Sequence, residues 1–263
     1  MVDFNYKKHG NGINKLIFFH GFGEDQTTFD ESIQVIQKEL RDTTCYSIDI
    51  YYHGNSQREN EKLKFEEWEK SFRAFLDKES IQSFMLLGFS LGGRFALATA
   101  YIFPTHTSGV FLIAPDGVFR SPWYRLANSL PGNLLFRYLM NHPPAFDGMV
   151  NIFKKTGIIS KPLVRFVEAA LHAPQQRKQV YQTWTYFYPL QLKPRAIAAC
   201  FNQHEIPVHV ILGKQDKIIP PKKVLPKLSS IKDLRSVIVN ARHHQMITES
   251  TPYVISVLKN QNL

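Results

Sequence analysis

The chain has 263 residues, a hydrophobic content of 44%, a charged content of 21% and a formal net charge of +10 at pH 7. This composition is typical of a globular protein with one large domain, and no apolar run reaches the roughly 20 residues that a membrane-spanning helix needs. Residues 1–8 lack the apolar segment found in signal peptides. Because Cys45 and Cys200 are also expected to be free thiols, the sequence predicts a cytoplasmic protein.

Seven apolar runs predict the strands of a buried sheet. Most of them are continuously apolar rather than alternating, which is typical of strands that are covered on both faces in a parallel sheet. The predicted strands span residues 4–8, 15–20, 44–50, 84–88, 110–114, 208–213 and 235–239.

Helical stretches separate these strands. They are predicted at residues 28–40, 65–78, 92–102 and 252–259. Thr27 and Thr28 are candidate N-caps of the first helix, and Glu31 stands at the capping-box spacing from Thr28. The alternation of strands and helices predicts an α/β fold, in which a mostly parallel sheet has helices on both faces.

The alternation stops between residues 118 and 203. This segment contains 11 Lys and Arg against 2 Asp and Glu, and it holds 8 of the 15 prolines. We therefore expect a helical cap inserted between two parts of the α/β core, residues 1–117 and 204–263. It is expected to act as a lid at the carboxyl edge of the sheet, where such folds place their active sites. Its predicted helices span residues 123–129, 134–141, 149–156, 161–171 and 175–184.

Residues 88–92 have the sequence Gly-Phe-Ser-Leu-Gly and lie between a predicted strand and a predicted helix. In this context the G-x-S-x-G pattern indicates a nucleophile elbow, a sharp turn that exposes the serine and needs glycines for close backbone approach. The sequence therefore predicts Ser90 as a nucleophile. On the pentapeptide alone, a glycine-rich turn with a passive serine remains the alternative.

A serine hydroxyl needs a base, and the base needs a group that orients it. Asp216 follows the strand predicted at 208–213, and the pair His243 and His244 follows the last predicted strand. On these residues alone, Asp216 is also compatible with a turn residue. The two histidines are compatible with a surface loop, and less well with a metal site, because adjacent histidines point in different directions.

Two backbone amides are predicted to stabilise an oxyanion. One belongs to Leu91, the residue after the serine. The other belongs to Phe22, in the loop that follows the strand predicted at 15–20. The glycines on both sides of Phe22 permit the tight turn that would aim its amide.

Four blocks resemble those of the α/β-hydrolase-fold serine hydrolases with a helical cap, an esterase- and lipase-like group. They are residues 20–23 (HGFG), 49–56 (DIYYHGNS), 88–92 (GFSLG) and 213–220 (GKQDKIIP). The resemblance covers the chain outside the cap. It implies the α/β-hydrolase fold and the cleavage of a carboxylic ester, or less readily a thioester or amide, without a cofactor or metal.

The same resemblance implies a triad of Ser90, Asp216 and His244, in the chain order of the family. Arg242 replaces the glycine that usually precedes the catalytic histidine, which keeps His243 as the alternative. Relatives place a glutamate five residues after the histidine, and Glu249 is five residues after His244. Aligning residues 241–244 on the family's G-A-G-H favours His244 as well.

Other polar residues near the predicted strand ends are expected to hold loops or cap turns rather than react. They are His20, Asp25, Asp49, His53 and Asp116. For Asp25 and Asp116, contact with the substrate is the alternative.

Two other functions fit the sequence: a non-hydrolytic enzyme of this fold, such as a lyase on a small anionic metabolite, and a binding or signalling protein. The complete triad argues against the second. The expected partner is a small ester, apolar or anionic, bound by a monomer or homodimer. The basic cap is either a solvated surface or a region that attracts an acidic substrate or an anionic membrane. No recognition motif favours nucleic acid.

Overall fold

A computed structural model describes residues 4–119, 122–157, 171 and 173–260. Within them, every predicted strand is present, and the predicted ends move by three residues at most. The strands are β1 (Tyr6–His9), β2 (Asn14–Phe19), β3 (Thr43–Ile48), β4 (Phe84–Phe89), β5 (Thr107–Ile113), β6 (Val208–Gly213) and β7 (Leu234–Val239).

These strands form one sheet with the order β1-β3-β2-β4-β5-β6-β7. Strand β1 pairs antiparallel with β3, and every other pairing is parallel. All residues of β3, β4 and β6 are buried. Burial on both faces explains why β4 and β6 are largely apolar without alternation, whereas β3 also buries the hydroxyl groups of Thr43, Thr44 and Ser47. The sheet and the helices between its strands confirm the predicted α/β architecture.

The helices are bounded as follows: α1 (Asp30–Glu39), α2 (Phe65–Lys78), α3 (Leu91–Ile102), α4 (Pro122–Ala127), α5 (Leu130–Asn141), α6 (Pro143–Thr156), α7 (Pro174–Thr185), α8 (Pro194–Gln203), α9 (Pro221–Leu228) and α10 (Met246–Asn260). Short 3₁₀ turns occur at Tyr188–Leu190 and His243–Gln245. Of the helix predicted at 161–171, residues 161–170 lie outside the described residues. None of the helices in the described ranges is long and apolar enough to cross a bilayer.

The first helix begins two residues later than predicted. Asp25 accepts hydrogen bonds from the Thr27 amide (2.8 Å) and hydroxyl (2.6 Å), and the Thr28 amide bonds to the Asp25 carbonyl (3.1 Å). Residues 25–28 are therefore a turn closed by its own aspartate. The predicted caps Thr27 and Thr28 belong to this turn, and the N-cap position is taken by Phe29, which has no side-chain bond to the helix.

The described residues fall into two compact units. The second unit comprises 59–63 and the described residues between 119 and 190, and the first unit comprises the rest. The predicted cap ended at 203, but residues 190–203 belong to the first unit, because α8 packs on α3 and buries Ile197, Ala198 and Phe201. Residues 59–63 join the second unit through the bond from the Leu63 amide to the Tyr186 carbonyl (2.8 Å).

The strand order changes direction at β2, whose neighbours are β3 on one side and β4 on the other. In open α/β sheets, such a switch point leaves a crevice at the carboxyl ends of the strands, where ligands bind. The loop after β2 and the turn after β4 leave the sheet at this point. These are the two segments in which the sequence placed Phe22 and Ser90.

Candidate active site

Ser90 occupies a strained turn between β4 and α3. Its φ of 49° and ψ of −115° are rare for a residue with a side chain. The backbone bonds of Ser90 hold it there: its amide donates to Ile113 (3.0 Å), and its carbonyl accepts from Gly93 (3.0 Å) and Asp116 (2.7 Å). The predicted elbow is therefore present, with Ser90 half-buried at the end of a buried strand.

Close backbone contacts explain the glycines of the elbow. A Cβ added to Gly92 would lie 2.0 Å from the carbonyl oxygen of Phe19, at the end of β2. One added to Gly88 would lie 2.5 Å from the carbonyl oxygen of Gly92. Because both contacts are with backbone, neither can be relieved by moving a side chain, and helix α3 must start this close to the sheet.

We expect Gly92→Ala to be strongly destabilising, since the added methyl group forces α3 away from β2. A loss of about 3 kcal/mol or more in the free energy of unfolding is expected, measured by urea denaturation. Gly148→Ala in α6 is the matched control, because a Cβ there meets nothing within 4 Å and alanine favours a helix. If the two variants had equal stability, the close approach at Gly92 would not be a constraint on the fold.

His243 connects Ser90 to Asp216. Its Nε2 lies 3.0 Å from Ser90 Oγ, and its Nδ1 lies 2.7 Å from Asp216 Oδ2. An ionised carboxylate accepts hydrogen bonds only, so the Asp216 contact places the proton of neutral His243 on Nδ1. Nε2 is then free to accept the proton of the Ser90 hydroxyl, which is the arrangement that a nucleophilic serine requires.

Asp216 is buried, and its carboxylate is held by three atoms. Its Oδ1 accepts hydrogen bonds from the amides of Ile218 and Ile219, both at 2.8 Å, and its Oδ2 faces His243. Burial alone would raise the pKa of Asp216, but the hydrogen bonds from His243 and the two amides outweigh it and hold the pKa below its usual value. The aspartate therefore stays ionised at neutral pH.

We expect Asp216→Asn to be destabilising and inactive. An asparagine amide presented to Nδ1 favours the wrong tautomer of His243, so kcat should fall by about 10⁴-fold.

The same variant should change the pH dependence of stability. Because the pKa of Asp216 is lowered in the folded protein, its ionised form stabilises the fold above the ordinary carboxyl pKa, and this contribution is lost as the pH falls through the lowered value. The difference in free energy of unfolding between wild type and variant should be about 1.5–3 kcal/mol at pH 7 and should shrink near pH 3. An equal difference at both pH values would contradict the role given to the charge.

The structure corrects the prediction of His244 as the base. His244 is exposed, whereas the side chain of His243 is only 16% exposed and forms both contacts. Two backbone hydrogen bonds join the loop after β6 to the end of β7 and the segment after it. The Lys214 amide donates to the Val239 carbonyl (2.8 Å), and the Gln215 amide donates to the Ala241 carbonyl (3.1 Å). A 3₁₀ turn begins at His243, and it is this residue, rather than the next one favoured by the alignment with G-A-G-H, that reaches Ser90 and Asp216.

The predicted oxyanion donors lie on the elements expected of them. Leu91 is the first residue of α3, so its amide has no acceptor within the helix. Phe22 lies in the loop after β2, which is held by His20. The His20 ring accepts the Ile50 amide at Nε2 (3.0 Å) and contacts the Gly21 carbonyl through Nδ1 (2.7 Å). The role of the Phe22 and Leu91 amides stays a prediction.

Glu24 supports this loop and was not predicted from the sequence. Its Oε2 accepts the Gly21 amide at 2.8 Å. Burial raises the pKa of Glu24, and the bond from Gly21 and the nearby His243 only partly offset the rise. An acidic residue three positions after a glycine in a loop has no distinctive pattern, so the sequence offered no way to find it.

The loop residues Asp49 and His53 are structural, as expected. The Asp49 carboxylate is buried and accepts the amides of Gln26 (2.6 Å) and Asn55 (2.9 Å). Burial lowers the pKa of His53 to about 3, which keeps its ring neutral. These contacts tie the loop after β3 to the loop that carries Phe22.

Asp116, in the loop after β5, forms an ion pair with the buried guanidinium of Arg94 on α3. Its amide also donates to the Ser90 carbonyl, so Asp116 helps to hold the backbone of the elbow in place. Asp25 closes its own turn, as described above. The structure thus gives both aspartates the loop-holding role that was expected.

Comparison with known proteins supports the predicted fold. A family model described as the alpha/beta hydrolase fold matches residues 14–140. Over 95% of its length the chain is 26% identical to a Mycoplasma genitalium protein named "Putative esterase/lipase 1", and the alignment covers 91% of that protein. A Mycoplasma pneumoniae protein of the same name is 30% identical over 40% of this chain and 38% of its own length.

Solved structures of esterases have the same fold. A thermophilic esterase from Thermogutta terrifontis matches with a TM-score of 0.67 and 16% identity, over 98% of this chain and 92% of its own. An esterase from Exiguobacterium antarcticum matches with a TM-score of 0.67 and 15% identity, over 97% of this chain and 95% of its own. At these identities the likeness concerns the fold alone.

Proposed function

We propose that the chain, which has the α/β-hydrolase fold and is similar in sequence to a protein named as a putative esterase/lipase, is a serine hydrolase that cleaves a carboxylic ester through an acyl-enzyme. The observation that carries the proposal is the hydrogen-bonded series from Ser90 through His243 to Asp216. It begins at a serine held in a strained, half-buried turn. A strained backbone at such a position costs folding free energy of about 1–3 kcal/mol, and sites that retain it are commonly functional.

The first half of the reaction forms the acyl-enzyme. Ser90 Oγ attacks the ester carbonyl carbon while His243 Nε2 takes its proton, which gives a tetrahedral intermediate with a negative oxygen. Asp216 stabilises the imidazolium by accepting from Nδ1. When the carbon–oxygen bond to the leaving alcohol breaks, His243 returns the proton to that oxygen, and the acyl group remains on Ser90.

The second half releases the acid. Water attacks the acyl carbon and gives a proton to His243 Nε2. The bond to Ser90 Oγ then breaks, and His243 returns the proton to the serine. In both halves the Leu91 amide at the start of α3 and the Phe22 amide are the proposed donors to the negative oxygen. Removing one such donor typically lowers kcat about 10²–10³-fold.

The substrate class is a small ester with an apolar or anionic acyl group. The cationic composition of residues 118–203 supports an anionic group. We place the activity in the cytoplasm, since Cys45 and Cys200 are both free thiols. A series of p-nitrophenyl esters of increasing acyl length would define which acyl groups are accepted.

The proposal is tested by turnover in ¹⁸O-labelled water. An ester hydrolase places one labelled oxygen in the released acid, and a fluorophosphonate probe should label Ser90 in the same preparation. A product without label would indicate a lyase. The absence of both turnover and probe labelling in the folded protein would indicate a binding protein. Either outcome overturns the proposal.

A further inference from the structure

Large apolar side chains are exposed unevenly along the chain. Of the eleven large hydrophobic residues that are exposed in the described ranges, seven belong to the second unit. They are Leu126, Leu130, Leu134, Leu135, Tyr138, Ile152 and Trp184. Single exposed apolar residues need no explanation, but a concentration of this kind marks an interaction surface.

Most of these residues form one stripe on α5. Leu130, Leu134 and Tyr138 follow one another at intervals of four residues, so they lie along one face of the helix, with Leu135 beside them. Their exposed fractions are 87%, 69%, 52% and 56% in that order. We call these four residues and the neighbouring Leu126 of α4, which is 49% exposed, the leucine face.

The opposite side of α5 already has its packing partner. The ring centroid of Phe136 lies 5.6 Å from that of Tyr181 and 5.7 Å from that of Trp184, both on α7. The Tyr181 hydroxyl also donates a hydrogen bond to Asn133 Oδ1 (3.1 Å). Leu139 and Met140 are buried. The stability of this unit therefore does not require the leucine face to be apolar, although a helix that is apolar on both sides is normally buried on both sides.

Positive charge accompanies the leucine face. Helices α4–α7 expose five cationic side chains against one acidic side chain, Asp147. Two of the cations adjoin the leucine face. Arg125 directly precedes Leu126, and Arg137, three residues after Leu134, lies at the edge of the leucine face. The other exposed cations are Lys154, Lys155 and Lys178.

We propose that the leucine face docks into the interface of an anionic lipid membrane. An amphipathic surface of this kind inserts its apolar side chains to the level of the acyl boundary, while the flanking arginines bind lipid phosphates. The excess of cations selects a negatively charged surface rather than a neutral one. This inference concerns the second unit alone and goes beyond the proposed hydrolysis, because it does not depend on the chemistry of Ser90.

The test is co-sedimentation of the full chain with lipid vesicles. The Ser90→Ala variant is used so that cleavage of lipid, if any, does not change the vesicles. It should bind vesicles that contain phosphatidylglycerol and phosphatidylcholine and should bind pure phosphatidylcholine at least about tenfold more weakly. The double variant Leu130→Ser/Leu134→Ser should lower the partition coefficient by about tenfold. Arg125→Gln and Arg137→Gln should each lower it by about fivefold on anionic vesicles.

The matched control is Val35→Ser on α1, an exposed apolar residue of the first unit, 47% exposed, which should leave the partition coefficient unchanged. Circular dichroism and Tm must show that all variants are folded. Equal binding to both kinds of vesicle, or the same partition coefficient for the double variant and the Val35→Ser control, would overturn the proposal. If the protein eluted as a dimer that the double variant converts to a monomer, the leucine face would instead be covered by a second copy, and the proposal would also fail.

Discussion

Ser90→Ala should abolish ester cleavage while the protein stays folded. The methyl group of alanine fits where the serine side chain is half-exposed, so no packing is lost, but there is no oxygen to attack the carbonyl or to accept the acyl group. In enzymes of this mechanism, removal of the nucleophile lowers kcat by up to about 10⁶-fold. We expect a loss of about 10⁴-fold or more in kcat with p-nitrophenyl acetate, and no labelling by a fluorophosphonate.

The control for this variant makes the same chemical change at the other end of the neighbouring strand. Ser108, near the start of β5, donates to the Phe84 carbonyl (3.1 Å) and is exposed. Ser108→Ala should keep its activity within about twofold. Near-normal turnover by a folded Ser90→Ala variant would mean that another group carries out the reaction, and the mechanism proposed here would be wrong.

The sheet could be predicted because burial on both faces imposes a simple pattern. Strand β6 was predicted to the residue, since an apolar run there ends at Gly213, where a side chain would meet the Ala241 carbonyl at 2.5 Å. The start of β5 was predicted three residues too late. Its first residue, Thr107, is polar and yet buried, because its hydroxyl bonds to the Phe103 carbonyl (2.8 Å). A local bond of this kind leaves no periodic trace in the sequence.

The limits of the cap could be predicted less well, for a different reason. Composition separates residues 118–203 from the rest of the chain, but composition does not say against which surface a helix packs. Helix α8 has an amphipathic sequence like those before it, and its apolar side chains Ile197 and Phe201 are buried in the first unit. The sequence of the helix alone therefore does not show which of the two units its apolar side chains join.

Ser90 and Asp216 could be predicted because each follows directly on a buried strand. The end of a strand fixes the position of the next two or three residues, and both side chains lie within that distance of β4 and β6. The histidine is four residues beyond the end of β7, after a turn whose length a sequence motif does not determine. In a 3₁₀ turn, a shift of one residue rotates the side chain by about 120°. The prediction therefore selected the exposed His244 instead of the half-buried His243.

The variants His243→Ala and His244→Ala should therefore differ greatly in activity. His243→Ala removes both the acceptor for the Ser90 proton, at 3.0 Å, and the partner of Asp216, at 2.7 Å. Its kcat should fall by about 10⁴-fold or more. His244 is exposed, and His244→Ala should keep its kcat within about threefold. Single-turnover labelling with a fluorophosphonate separates the base from substrate binding, since it should be slowed only in His243→Ala.

The pair controls itself, because the two changes are chemically identical and lie in the same 3₁₀ turn. A general disturbance of this turn would lower the activity of both variants and the Tm of both, whereas loss of the base lowers the activity of one. The opposite order, with His244→Ala inactive and His243→Ala active, would require the segment after β7 to be shifted by one residue. It would then have to break the bond between the Gln215 amide and the Ala241 carbonyl, 3.1 Å in length, which holds the loops of Asp216 and His243 together.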